Sequence, residues 1–174
     1  MDDKARRDLF EKIYKEVFPV VFKVSYHITK DQDAAQDVCQ EAFIKLYDLV
    51  DTFPGVEDSK FWLIRVVKNK SFNYLEHEKV KKRAFDKMKH MPSFTDDTGE
   101  KQLLKKDAIE KVNKALEQLP ENLKAPLVLR EFGGLNYKEI ASTLGISESN
   151  VKVRIFRARE ALGKLLPVGE VYVP

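Results

Sequence analysis

The sequence predicts an all-α protein: two small helical domains joined by a flexible linker, the second containing a helix–turn–helix. Three observations lead there. Apolar residues recur at spacings of three and four through nearly every segment outside the Pro and Gly breakers. No segment carries the alternating pattern of a strand-forming core. The periodicity fades between Ala84 and Gly99, where His90 to Gly99 is rich in turn formers, and then resumes. The expected organisation is a domain over 1–83, a linker over 84–102, a helix–turn–helix domain over 103–166 and a tail over 167–174.

In chain order, the first helix spans about Arg6 to Thr29. Its apolar set is Phe10, Ile13, Val17, Val20, Val21 and Val24, interrupted at Pro19. Asp31 suits the N-cap of the next helix. That helix has the stripe Ala35, Val38, Ala42, Leu46 and Leu49, with Phe43 and Tyr47 flanking it. Phe53 to Ser59 reads as a loop, and a long helix follows from about Lys60 to Lys82, aromatic at its start and basic at its end. Beyond the linker a helix runs from about Leu103 through Ile109, Val112 and Leu116 to Leu119. Pro120 breaks it, and a short helix beginning near Ala125 ends at Gly133 and Gly134. The tail from Pro167 to Pro174 is expected to be extended.

The most informative stretch is 135–159. Ile140 and Leu144 lie four apart, and Ala141 permits a close helix crossing. Gly145 suits the left-handed residue that ends a helix, and Ser147 the N-cap of the next. Val151, Ile155, Ala158 and Leu162 form one buried face. Ser149, Val153, Phe156 and Arg157 then fall on or near the opposite face. A helix–turn–helix presents that second face to the DNA major groove. An ordinary helical hairpin with a solvated basic face is the plainer alternative.

Charge sharpens this. The formal net charge is +3, but residues 1–60 carry nine basic and thirteen acidic side chains, and residues 61–90 nine and three. An acidic front and a basic central helix suggest nucleic-acid contacts and a separate surface for another partner. One cysteine, Cys39, gives no disulfide framework and fits a cytoplasmic protein. No apolar run reaches the roughly 20 residues of a membrane span, and the charged N-terminus is unlike a signal peptide. His27, His77 and His90 are scattered, and neither a metal-ligand spacing, a glycine-rich phosphate loop nor a nucleophile elbow is present. The expectation is therefore no catalytic residue, no metal and no cofactor.

Three ordered segments resemble one family. Asp37, Gln40, Glu41 and Phe43 are similar to its Asp-x-x-Gln-Glu-x-Phe segment. Phe61 to Asn69, continuing to Asn73, Tyr74 and Leu75, forms the second match. Leu119 and Pro120 through Leu127, Arg130, Glu131, Gly134 and Leu135 to Arg157 and Arg159 form the third. The chain resembles a bacterial extracytoplasmic-function σ factor, a promoter-recognition subunit of RNA polymerase.

That resemblance implies an N-terminal domain that binds and melts the −10 promoter element and a C-terminal domain that reads the −35 element. It implies Asp37, Gln40 and Glu41 as contacts to core RNA polymerase. Asn69 and Asn73 are implied at the −10 element, with Arg65, Lys68 and Lys70 as phosphate contacts. Aromatic and amide groups suit opened DNA, where bases can stack and hydrogen-bond. Trp62 and Leu63 read as core. At the −35 element it implies Lys152, Val153, Phe156 and Arg157, with Arg154 and Arg159 on the backbone. Val153 departs from the small polar residue common in relatives. Expected partners are core polymerase, promoter DNA and an anti-σ factor, in some cases membrane-bound, with no direct membrane insertion by this chain.

The implied elements lie roughly 16 base pairs apart, about 55 Å of duplex. A free linker of about 20 residues averages about 25 Å and reaches about 65–70 Å when extended. It permits the separation without imposing it, so polymerase is expected to hold the domains apart. An independent dimeric repressor or activator is the alternative reading; it leaves the first two segments unexplained.

Overall fold

Helix capping sets the frame of the fold. A computed structural model describes residues 2–86 and 100–166, without the side chains of 100–106. Asp2 accepts a hydrogen bond from the Ala5 N–H at 2.7 Å and opens α1 (Asp3–Thr29). Lys30 closes α1 in the left-handed conformation, φ 60°, donating its N–H to Tyr26 O at 2.8 Å. Asp31 immediately caps α2 (Gln32–Leu49) by accepting from Ala34 N–H at 2.9 Å, as its position predicted. Pro19 lies inside α1 rather than interrupting it. It is exposed, and so is Lys15 one turn earlier, so water can satisfy the carbonyl that loses its donor.

A short 3₁₀ turn, Val50–Thr52, leads to α3 (Val56–Asp86), which starts inside the segment expected to be loop. α1 packs against both α2 and α3. Its buried row is Ile13, Val17, Val21, Val24 and Ile28, facing Cys39, Phe43 and Leu46 of α2 and Leu63, Ile64 and Val67 of α3. Leu49, expected in that core, is 39% exposed; the 3₁₀ turn buries Val50 instead. Small residues let α1 and α3 approach closely, and the Oγ atoms of Ser25 and Ser71 share a buried 2.8 Å hydrogen bond.

The second unit contains α4 (Glu100–Gln118), α5 (Glu121–Glu131), α6 (Tyr137–Leu144) and α7 (Glu148–Leu165). α5 begins just after Pro120, earlier than its apolar run suggested, and holds Pro126 in its interior. α7 packs across α5 and α6, burying Val151, Ile155, Ala158 and Leu162 against Leu127, Val128 and Ile140. The helix–turn–helix has the expected local chemistry. Gly145 adopts φ +67°, and Ser147 accepts from Asn150 N–H at 3.2 Å. Asn136 and Glu139 add a reciprocal capping box at the start of α6, with bonds of 2.8 and 2.9 Å.

The expected linker overlaps the last turn of α3 and the first of α4; its remainder, and the tail at 167–174, fall outside the described residues. The two helical units touch: the His27 ring stacks on Phe132 with centroids 3.5 Å apart.

Candidate nucleic-acid interface

α7 turns its buried stripe inward, which leaves Lys152, Val153, Phe156 and Arg157 on one exposed face. Phe156 is 64% exposed, and Val153 beside it on that face is 45% exposed. The flanking arginines differ from this group. Arg154 donates Nε–H to Asn150 Oδ1 at 3.0 Å, beside the buried stripe. Arg159 is held on Glu131 of α5 at 2.7 Å. Neither lies centrally on the exposed face. Lys152 sits 5.8 Å from the Tyr137 ring centre and Arg130 5.1 Å from it, so the cations approach one ring between α6 and α7.

On α3 the five expected DNA residues separate. Arg65, Asn69 and Asn73 repeat every four residues along one exposed edge. Lys68 is half-buried on one side. Burial pulls its ammonium below the usual lysine range, and Glu121 of α5 opposes that effect. Lys70 lies on the other side, ion-paired with Glu41 of α2. Trp62 packs against Phe53 with centroids 5.7 Å apart, and Leu63 is fully buried, in keeping with core roles. Tyr74 donates its hydroxyl to Asp31 Oδ2 at 3.2 Å.

On α2, Asp37, Gln40 and Glu41 are exposed on the outer face. Sequence reasoning missed Ile44 there. It is 66% exposed and lies seven residues after Asp37, two helical turns along the same face. A search for buried periodicity passes over an apolar residue on the polar side; its spacing from Asp37 was the available signal. Asp33 and Asp48 extend this face as exposed carboxylates. The contact of Glu131 with Arg159 was also missed, although Glu131 lies in the third matching segment, because a contact between positions 28 residues apart leaves no local pattern.

Cys39 is buried and its thiol is pushed up to about 12, which makes it unreactive. Among the described residues no group of three His, Cys, Asp or Glu side chains could hold a metal ion, and no helix is long and apolar enough to cross a membrane.

Comparison with known proteins covers both units. Residues 13–80 match the σ70 region 2 family and residues 109–162 match σ70 region 4. The RNA polymerase sigma-H factor of Pseudomonas aeruginosa is 37% identical over 146 residues, 78% of this chain and 75% of that protein. The ECF RNA polymerase sigma-E factor of Escherichia coli is 36% identical over 138 residues, 72% and 70% of the two chains. In fold, the chain resembles the σ factor RpoE solved with the anti-σ factor NepR from Bartonella quintana: TM-score 0.71, 22% identity, 92% of this chain and 98% of that one. It also resembles CnrH solved with the cytosolic domain of CnrY, with TM-score 0.64, 20% identity and coverage of 90% and 86%. Two regions in family order, on one helical chain with an exposed basic recognition helix, give a single assignment: the chain belongs to the extracytoplasmic-function σ factors, the promoter-recognition subunits of bacterial RNA polymerase.

Proposed function

We propose that three exposed faces of this σ factor divide the work of promoter-specific initiation. The outer face of α2, with Asp37, Gln40, Glu41 and Ile44, docks on core RNA polymerase. Its acidic rim around one exposed apolar side chain suits a basic partner with an apolar centre. The α3 edge, Arg65, Asn69 and Asn73, engages the opened −10 element; its amide groups can hydrogen-bond to unstacked bases. Lys68 and Lys70 flank that edge and supply phosphate contacts once released from their present partners. The α7 face reads the −35 element. There Arg157 can pair bidentately with guanine and Val153 can meet a thymine methyl, while Lys152 adds salt-sensitive affinity. Arg154 and Arg159 approach the DNA backbone from the sides of the helix.

The observation that carries this division is the exposure of Phe156 and Arg157 on a recognition helix whose opposite face is fully packed. The chain contributes recognition and leaves catalysis to the polymerase, acting in the cytoplasm without a cofactor or metal. An anti-σ factor is a further expected partner, because a structural neighbour, RpoE, was solved with one.

The direct test is reconstituted transcription with cognate core polymerase on promoters from a randomised library. Initiation only when both components are present, from sites sharing two elements at fixed spacing, supports the reading. DNA binding without polymerase-dependent initiation would overturn it in favour of an independent repressor or activator.

A further inference from the structure

α5 begins without a side-chain cap. Pro120 stands at its N-cap position and supplies only its carbonyl, which accepts from the N–H groups of Leu123 and Lys124. The first two N–H groups of the helix are left over, at its positive end. This turn borders a cleft of about 550 Å³, in which Leu119, Glu121 and Lys124 face Phe72 and Leu75 of α3 and the corner between α1 and α2. A cleft of that size takes a small molecule such as a nucleotide.

Four lysines from three parts of the chain line it: Lys30 at the α1–α2 corner, Lys79 and Lys82 on α3, and Lys124 on α5. Lys124 is only 5% exposed, and the Ile28 carbonyl at 3.2 Å is the one acceptor for its three donors. Lys30 reaches Asn113 Oδ1 at 2.7 Å, another neutral partner. Burial, and then the charge of Lys124, bring the Lys30 ammonium down to about 8. Burial also holds Lys124 below the usual lysine range, and Lys79 adds to that effect.

Four carboxylates line the same cleft, and their placement decides its sign. Asp31 is committed to the cap of α2 and to the Tyr74 hydroxyl. Glu78 is paired with Lys81 at 2.9 Å, just as Lys79 is paired with Glu76 at 2.8 Å. Glu117 and Glu121 are exposed; they oppose the lowering of Lys124, but neither forms an ion pair with it among the described residues. Solvated charges are screened far more than buried ones. The balance is therefore two desolvated ammoniums, Lys82 and an uncapped helix terminus against two screened carboxylates. The inner end of the cleft attracts anions.

We propose that this cleft binds a phosphate-bearing small molecule, its phosphate held by Lys30, Lys82, Lys124 and the first turn of α5. Phosphate matches both kinds of donor: lysine binds it as a point charge, and a helix N-terminus binds it through backbone N–H groups. A terminal phosphate can enter far enough to meet Lys124, whereas a phosphodiester flanked by sugars on both sides is too bulky to do so. The site owes nothing to the assignment of DNA-facing helices, and both helical units supply its lysines, so occupancy adds to the stability of the folded chain.

Titration calorimetry of the full chain with inorganic phosphate, pyrophosphate and ADP, each at matched ionic strength, reads the site without DNA or polymerase. At least one should bind one to one with a Kd of about 1 mM or tighter. Equal affinity for pyrophosphate and ADP upholds the site as a reader of phosphate groups alone; ADP tighter by about tenfold upholds it as a nucleotide site. Lys30→Gln and Lys82→Gln should each weaken binding about tenfold; Lys82 is exposed, so its variant keeps the test decisive if Lys30→Gln disturbs folding. Lys45→Gln, about 21 Å along α2 from Asp31, should leave binding unchanged. No saturable binding of any of the three overturns the site. So does equal weakening by Lys45→Gln, which means diffuse attraction to a basic surface. Binding of a non-promoter DNA duplex that depends on Lys30 and Lys82, with no small phosphate bound, overturns it in favour of a nucleic-acid contact.

Discussion

Acidification should loosen this chain through His27. Its imidazole is held down to about 4 from an ordinary 6.5, first by burial and then by Lys30, Lys124 and Lys23; a hydrogen bond with Asn113 acts weakly the other way. The folded form therefore binds fewer protons than the unfolded form between those values. Stability is fully present above about 6.5 and is lost as pH falls toward about 4. Between pH 7.5 and 5.0 the two values set a ceiling of about 2 kcal/mol. His27 retains some solvent contact, which reduces the expectation to about 1 kcal/mol. For a chain of this length that is roughly 2–4 °C in Tm. The assay compares thermal unfolding at both pH values for the unaltered chain and for His27→Gln, which cannot titrate. The unaltered chain should lose about 2–4 °C more than the variant. An equal loss in both chains would refute the assignment of this titration to His27 and the lysines around it.

Three further outcomes are expected. Arg157→Ala should cost about 1–3 kcal/mol at one base pair of the −35 element and little elsewhere, measured by competition among single-base duplex variants; a uniform loss would remove its reader role. Ile44→Asp should weaken binding to core polymerase about tenfold or more while Tm moves by under about 1 °C, because the residue is exposed in the free chain; unchanged affinity would exclude Ile44 from the interface. Gly145→Ala has space for its methyl group but must adopt φ +67°, so denaturant titration should show a loss of about 1–2 kcal/mol, and a neutral result would refute the strain argument.

Local chemistry was the part of the fold most legible in the sequence. Asp31, Gly145 and Ser147 act within three residues of themselves, so their roles as caps and turn could be read directly. The buried row of α7 was legible for the same reason: helical periodicity alone fixes which side packs. The family resemblance located the remaining candidate residues, but it could not show their present partners. Lys70 meets Glu41 across 29 positions, and His27 meets Phe132 across the whole expected linker. Such contacts depend on how helices are placed in space, which periodicity does not encode. The start of α3 was missed because Pro54 and Gly55 signal a turn but do not say how soon afterwards a helix can begin.

The ion pair between Glu41 and Lys70 joins two of the proposed faces. Whatever occupies the Glu41 carboxylate frees the Lys70 ammonium, and whatever neutralises Lys70 frees Glu41. Enzyme docking and DNA affinity are then linked reciprocally through one shared pair: each ligand favours the other by the same factor. The pair is solvent-accessible, so its strength is about 0–1 kcal/mol and the factor reaches about five at most. That is too small for a switch and large enough for a bias. On the proposed assignment of these faces, either macromolecule thus favours the other to the same small extent, and the pair sets no order between them.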